Sequence, residues 1–267
     1  MFGAKKRRRK RLRATPLPPE AVATLERRIP YLRTLSDEDR RELGGLVQVF
    51  LAEKWFSGCG GLEVDDEIRL TIAGQACLLL LRRNVEEVYP ALVTVVVYPH
   101  AYVANATRTV GGGIVLEGRE VRLGESWDRG TLVLSWDDVV KGAADVHDGH
   151  NVVLHEFAHQ LDQQAGGDSG TPDLGTRSRH LAWARVLSEE YAQLLGDVEK
   201  HRKNVIDAYG ATNAAEFFAV VTECFFEKPR PLRAQHPELY DRLRDFYRRD
   251  PAAVEEGRPE EFLPDAP

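Results

Sequence analysis

The sequence is short of cysteine, with three in 267 residues (Cys59, Cys77, Cys224). They are odd in number and lack metal-type paired spacing, so neither a disulfide framework nor a cysteine-ligated zinc is expected. Reduced thiols in a cytoplasm fit this usage. No run of about 18 apolar residues occurs, so no transmembrane helix is expected. The basic start is followed by Pro16, Pro18 and Pro19 rather than by an apolar segment of signal-peptide length. Acid is missing from residues 1–13, which carry eight Lys or Arg; the rest of the chain has 28 basic against 42 acidic residues, a net of −14. An acidic body argues against a duplex-binding surface, and nucleic-acid contact by the basic arm alone is not expected.

What remains is ordinary globular composition, 43% apolar and 29% charged. Residues 1–19 read as a disordered basic arm and residues 251–267 as a C-terminal tail. Between them, residues 20–250 read as one domain. Helical spacing predicts a short helix over 20–33 distorted by Pro30. A second starts at Ser36 and is ended by Ser57–Gly61, and a third runs from near Asp65 to Arg83. Strand propensity clusters between 91 and 136: Leu92–Tyr98, Ile114–Leu116 and Glu120–Leu123 after a Gly111–Gly113 turn, and Thr131–Trp136. Helices follow over 179–195, from Asn213 to Lys228 where Pro229 stops it, and from Pro237 to Arg249. Helices, a small sheet and helices again make an α+β single domain.

The chemistry concentrates in Asn151-Val-Val-Leu-His155-Glu156-Phe-Ala-His159-Gln-Leu-Asp162. Asp148, Gly149 and Asn151 offer the turn and cap before this helix, and Gly166-Gly167 ends it. On a helix, His155 and His159 lie one turn apart on one face and can share one Zn²⁺. Glu156 sits beside them to handle a proton. Val152, Val153, Leu154, Phe157, Ala158 and Leu161 make the helix apolar around most of its surface, hence buried. Buried imidazoles and a buried carboxylate need partners, and a zinc ion supplies one. His147 and His150 read as loop residues flanking the helix start. Asp162, three residues past His159, either accepts from a ligand imidazole or ends the helix.

A catalytic zinc takes three protein ligands and leaves one position open. The continuation of the motif excludes a nearby third histidine, because Asp162 and Ala165 stand where Gly and His would be needed. An aspartate form through Gly170–Asp173 lacks the Tyr-Gly that should follow. A glutamate from another helix remains: Glu189, Glu190, Glu216, Glu223 or Glu227. Asn213 and Glu216 have capping-box spacing, a purely structural use of Glu216. Yet Glu216 and Glu223 share one face of an apolar helix, whereas Glu189 and Glu190 read as solvated. Glu223 reads as a further group supporting the site. The strand Thr131–Ser135, with Leu132, Val133 and Leu134 at its centre, is expected at the sheet edge that accepts a substrate as an added strand.

Tyr209-Gly-Ala-Thr-Asn-Ala-Ala-Glu216-Phe-Phe-Ala219, together with His155–Asp162, resembles the Mlc titration factor A family of zinc peptidases. The Tyr-to-Glu-Phe-Phe-Ala segment is also similar to the catalytic domain of anthrax lethal factor. Met1-Phe2-Gly3 and Leu134–Val139 fit the first family, so the resemblance extends over most of the chain. It implies a zincin-like, gluzincin-type fold with a small mixed sheet beside the active-site helix. It implies one Zn²⁺ per chain on His155, His159 and Glu216, Glu156 as catalytic base and Tyr209 as transition-state donor. The implied substrate is a peptide or protein. An Mlc-like repressor is an implied partner, and sequestering such a repressor without catalysis is the alternative function.

Overall fold

The computed structural model describes residues 2–110, 114–122, 124–127, 130–167 and 169–258. The expected Gly111–Gly113 turn, Leu123 and the tail from residue 259 lie outside the described residues. The chain opens with helices α1 (Phe2–Ala14), α2 (Pro19–Arg28), a 3-10 turn at Pro30–Thr34, and α3 (Asp37–Glu53). Strand β1 (Trp55–Gly58) and α4 (Asp66–Leu78) lead into β2 (Thr94–Tyr98), β3 (Tyr102–Val110), β4 (Ile114–Arg122), β5 (Gly124–Trp127) and β6 (Thr131–Ser135). Helices α5 (Trp136–Ala144), α6 (Val152–Gln163) and α7 (Arg177–Glu199) follow. A 3-10 turn at Ala208–Ala211 precedes α8 (Ala214–Glu227), α9 (Pro229–Gln235), α10 (Pro237–Tyr247) and α11 (Pro251–Glu255). The architecture is α+β, as the succession of patterns predicts.

Helix starts follow side-chain caps. Ser36 Oγ accepts from the Asp39 amide and Asp65 Oδ1 from the Ile68 amide, each satisfying an orphan first-turn donor. Pro229 does not merely stop α8; it occupies the first turn of α9, where its missing N–H costs nothing. Helix α4 ends at Leu78, five residues before the predicted Arg83, and the chain then turns through left-handed Arg82 and Asn84.

The main sheet runs β1-β2-β6-β5, with β1, β2 and β6 parallel and β5 antiparallel to β6. Two expectations fail here. Residues 55–58, read as the end of a helix, are an edge strand: the Trp55 amide donates to Val93 O and the Cys59 amide to Val97 O. Strand β6, read as the edge, is internal. Leu132, Val133 and Leu134 are all buried, as in a strand covered on both faces. The edge beside α6 is β5. β3 and β4 form a separate antiparallel hairpin.

Residues 2–14, expected to be disordered, form a helix docked on α3. Arg9 grips Glu53 with two bonds (2.7 and 3.0 Å) and reaches Glu87 at 2.5 Å, while Arg13 donates to Val85 O. A methyl group on Gly45 would meet Arg13 O at 2.8 Å, so the glycine lets the two backbones approach. The acids that hold this basic segment lie far away in sequence, which is why composition alone misses them. The C-terminal tail likewise begins with a packed element: Ala252 and Ala253 of α11 are buried, and Asp250 accepts from Tyr240 Oη at 2.6 Å.

The core gathers around α4, α6 and α8. Phe50, Tyr89 and Phe157 interlock with ring centroids 4.7 to 6.2 Å apart, which seats α6 against α3 and the segment that leads into β2. Lys54 is buried at the start of the sheet and donates to Tyr89 O and Leu92 O. Burial lowers its pKa to about 8, against the opposing charge of Glu53.

Candidate metal centre

Helix α6 begins at Asn151, whose Oδ1 accepts from the Val153 and Leu154 amides (3.1 and 3.0 Å). Its apolar residues Val153, Leu154, Phe157, Ala158 and Leu161 are buried. With that face committed, His155 and His159 project from the remaining one, ring centroids 4.9 Å apart. Helix α8 crosses beside them. Asn213 Oδ1 accepts from the Glu216 amide at 2.9 Å, so the cap predicted at this position exists. The Glu216 carboxylate turns toward α6 instead. Its Oε2 is 3.0 Å from His155 Nε2 and 3.5 Å from His159 Nε2, and the two Nε2 atoms are 3.3 Å apart. The capping and metal-site readings of this segment are therefore compatible, one using the backbone and the other the side chain.

Three donor atoms bound tetrahedrally at zinc distances lie roughly 3.3 Å from one another. The observed separations bracket that value. Among the described residues, these three side chains are the group of His, Cys, Asp or Glu whose ligand atoms converge in this way.

Glu223, two turns beyond Glu216, completes the surroundings of His155. Its Oε1 is 2.7 Å from His155 Nδ1 and its Oε2 accepts from the Asn151 amide at 2.5 Å. A proton on Nδ1 facing Glu223 leaves the Nε2 lone pair for a cation. Burial works to lower the His155 pKa, but the bonds to Glu216 and Glu223 prevail and raise it to about 10. Burial works to raise Glu216, and its bonds to His155 and His159 bring it down to about 2. The cluster thus holds positive charge among carboxylates. A metal cation satisfies the same demand after displacing the Nε2 proton.

Behind the imidazoles, Asn151 joins four helices. Its Nδ2 is shared among Gln75 Oε1 on α4, Gly142 O on α5 and Glu227 Oε1 on α8, at 3.0, 3.1 and 3.1 Å. Burial pushes the Glu227 carboxyl up to about 8, the Asn151 bond opposing and the Glu223 charge adding. Sequence reasoning named Asn151 only as a cap and Glu227 only as a ligand candidate. The signal was the recurrence of Glu223 and Glu227 one turn apart in an otherwise apolar helix.

Glu156 is buried on α6 beside the two histidines. Tyr209 sits in the 3-10 turn before α8, 55% exposed, its ring centroid 5.9 Å from that of His155. Asp162 is fully buried and accepts from the Gly170 and Thr171 amides (2.7 and 2.8 Å), fastening the following loop to α6. Glu189 pairs with Arg185 at the surface. Glu190, read as solvated, instead meets the buried His236 at 2.6 Å. His147 and His150 are exposed in the loop before α6, their amides bonded to Asp145 and Asp148. Leu132, Val133 and Leu134 lie inside the sheet rather than at its edge.

A model of the glucose-regulated metallo-peptidase M90 family matches residues 4–248. An uncharacterized protein of Synechocystis sp. is 45% identical over 245 residues, which is 91% of this chain and 89% of its own. Mlc titration factor A of Cronobacter sakazakii is 33% identical over 239 residues, 88% and 87% of the two chains. Its namesake from Pectobacterium atrosepticum is 32% identical over 231 residues, 84% of each. Among the described residues, no helix is long and apolar enough to cross a membrane.

Proposed function

The chain belongs to the glucose-regulated metallo-peptidase M90 family, and from that premise we propose that it hydrolyses peptide bonds with one Zn²⁺ held by His155, His159 and Glu216. The observation that carries this reading is the mutual spacing of 3.0, 3.3 and 3.5 Å among the three ligand atoms. When bound there, zinc polarises a peptide carbonyl and lowers the pKa of water towards about 7.

The remaining work falls to the chain's own groups. Glu156, adjacent to His155 and largely screened from solvent, takes a proton from the attacking water and passes it to the leaving amine. Tyr209, exposed over the His155 ring, donates its hydroxyl to the oxyanion of the tetrahedral intermediate. Glu223 holds the His155 tautomer that presents Nε2. The substrate adds to β5, the sheet edge packed beside α6, through main-chain bonds. Buried free Cys77 and Cys224 suit a reducing compartment such as the cytoplasm.

The test is Glu156→Gln against wild type, with zinc per chain and cleavage of a peptide library measured together. Retained zinc with cleavage lowered by at least about a hundred-fold is expected. Equal cleavage by both would remove the Glu156 role. A second reading draws on the name Mlc titration factor A borne by two relatives: the protein sequesters a repressor of the Mlc type. Zinc in both proteins without cleavage by either would favour it.

A further inference from the structure

The turn that carries Tyr209 is anchored by a half-buried polar array, centred on the buried His236, away from the metal centre. Asn204 Oδ1 accepts from the Ile206 amide at 3.0 Å, and Asn204 Nδ2 donates to Asp197 Oδ2 on α7 at 3.0 Å. These two bonds fix which end of the amide is oxygen. His236 Nε2, 3.0 Å from the same oxygen, must therefore carry a hydrogen. Its other nitrogen, Nδ1, lies 2.6 Å from Glu190 Oε2. Both ring nitrogens of His236 therefore face oxygen partners, Asn204 Oδ1 on one side and Glu190 Oε2 on the other. The array spans α7, the junction between α9 and α10, and the loop between α7 and the 3-10 turn.

That loop leads directly to the tyrosine. Ile206 is buried, and Asp207 Oδ1 accepts from the Tyr209 amide at 2.8 Å. On the far side, Tyr191 Oη of α7 donates to Ala211 O at 3.1 Å. A methyl group on Gly210 would meet Leu194 at 3.3 Å and Val220 at 3.4 Å, so the turn is wedged between α7 and α8. The backbone of Tyr209 is held on both sides while its ring stands out over His155. A polar array of this kind is weak support for stability alone, since well-packed apolar residues do as well or better. It does specify one geometry.

We propose that Glu190, His236 and Asn204 are positioning residues that set the Tyr209 hydroxyl over the metal centre, an inference that rests on Tyr209 being the oxyanion donor. The experiment measures kcat and KM for zinc-loaded Asn204→Ala and the milder His236→Gln, each alone and combined with Tyr209→Phe. Hydrogen exchange over residues 203–212 is followed in the metal-free proteins. Each single variant is expected to lower kcat by roughly three- to ten-fold with KM little changed, and by no more than Tyr209→Phe does. In the Phe background the same substitutions are expected to cost nothing further, and the turn amides to exchange faster in both. An equal fold-loss in both backgrounds, or unchanged kcat in the two single variants while Tyr209→Phe is impaired, would overturn the inference and leave the donor role standing. Unchanged kcat in Tyr209→Phe alone would remove the donor role, and the inference with it.

Discussion

Replacing Glu223 by Gln exchanges one carboxylate oxygen for an NH₂ group and tests the support of the metal centre. The wild-type carboxylate accepts twice, from the His155 imidazole at 2.7 Å and from the Asn151 amide at 2.5 Å. A carboxamide of the same shape has one oxygen, so only one bond survives. If the oxygen stays with Asn151, an NH₂ group faces His155 Nδ1 and the imidazole must accept there. The ring proton then moves to Nε2, the nitrogen that zinc requires bare. If the oxygen stays with His155, the Asn151 amide at the head of α6 loses its acceptor. The side chain is 8% exposed, so water cannot readily replace either bond. One lost bond to a charged group is worth about 1.5–3 kcal/mol, or roughly ten- to a hundred-fold in zinc affinity. Competition for zinc against a chromophoric chelator near neutral pH reads this directly. A dissociation constant within about two-fold of wild type would refute the assigned tautomer and the role of Glu223.

Three further outcomes are expected. Gly170 has φ of +70°, and a methyl group there would lie 2.3 Å from Ala214 O in the first turn of α8; Gly170→Ala should lower both Tm and zinc affinity, and a Tm unchanged would contradict the close crossing. Glu227 holds its proton up to about pH 8 in the folded chain, whereas a free glutamate loses it near 4.5. The folded state therefore binds more protons between those values, and its stability falls as pH rises from about 4.5 to 8. Glu227→Gln should flatten that fall in urea titrations at several pH values, and an unaltered slope would count against it. Zinc should raise Tm in proportion to the logarithm of its free concentration, and a chelator should return Tm to the metal-free value. Loss of this dependence in Glu216→Ala would tie the effect to the third ligand.

Much of the centre was legible because its residues obey local rules. His155 and His159 show their common face through 3.6-residue periodicity, and the apolar residues between them announce burial. Glu216 was harder, since the capping-box spacing explains it equally well; the structure uses the backbone for the cap and the carboxylate for the site. Strand β6 could not be assigned to the interior or the edge from Thr131–Ser135 alone, because its neighbour β5 is four residues long and weakly patterned. Strand β1 was hidden by the glycines after it. Helix α1 and the Glu190–His236 pair share one cause of failure. Each depends on partners tens of residues away, and a charge read without its partner looks solvated.

Helices α6 and α8 bring His155 and Glu216 together across 61 residues of chain. Closing a loop of that length costs about 4 kcal/mol of chain entropy in a simple loop model. The imidazole pair on α6 is a local product of one helical turn, but the three-ligand centre is a long-range one. It comes into being only after α7 has folded back and α8 has docked. A nascent chain that has emerged only as far as α7 therefore carries the two imidazoles without the Glu216 carboxylate that meets them. On the reading proposed above, the separation withholds the third ligand until the domain is nearly complete.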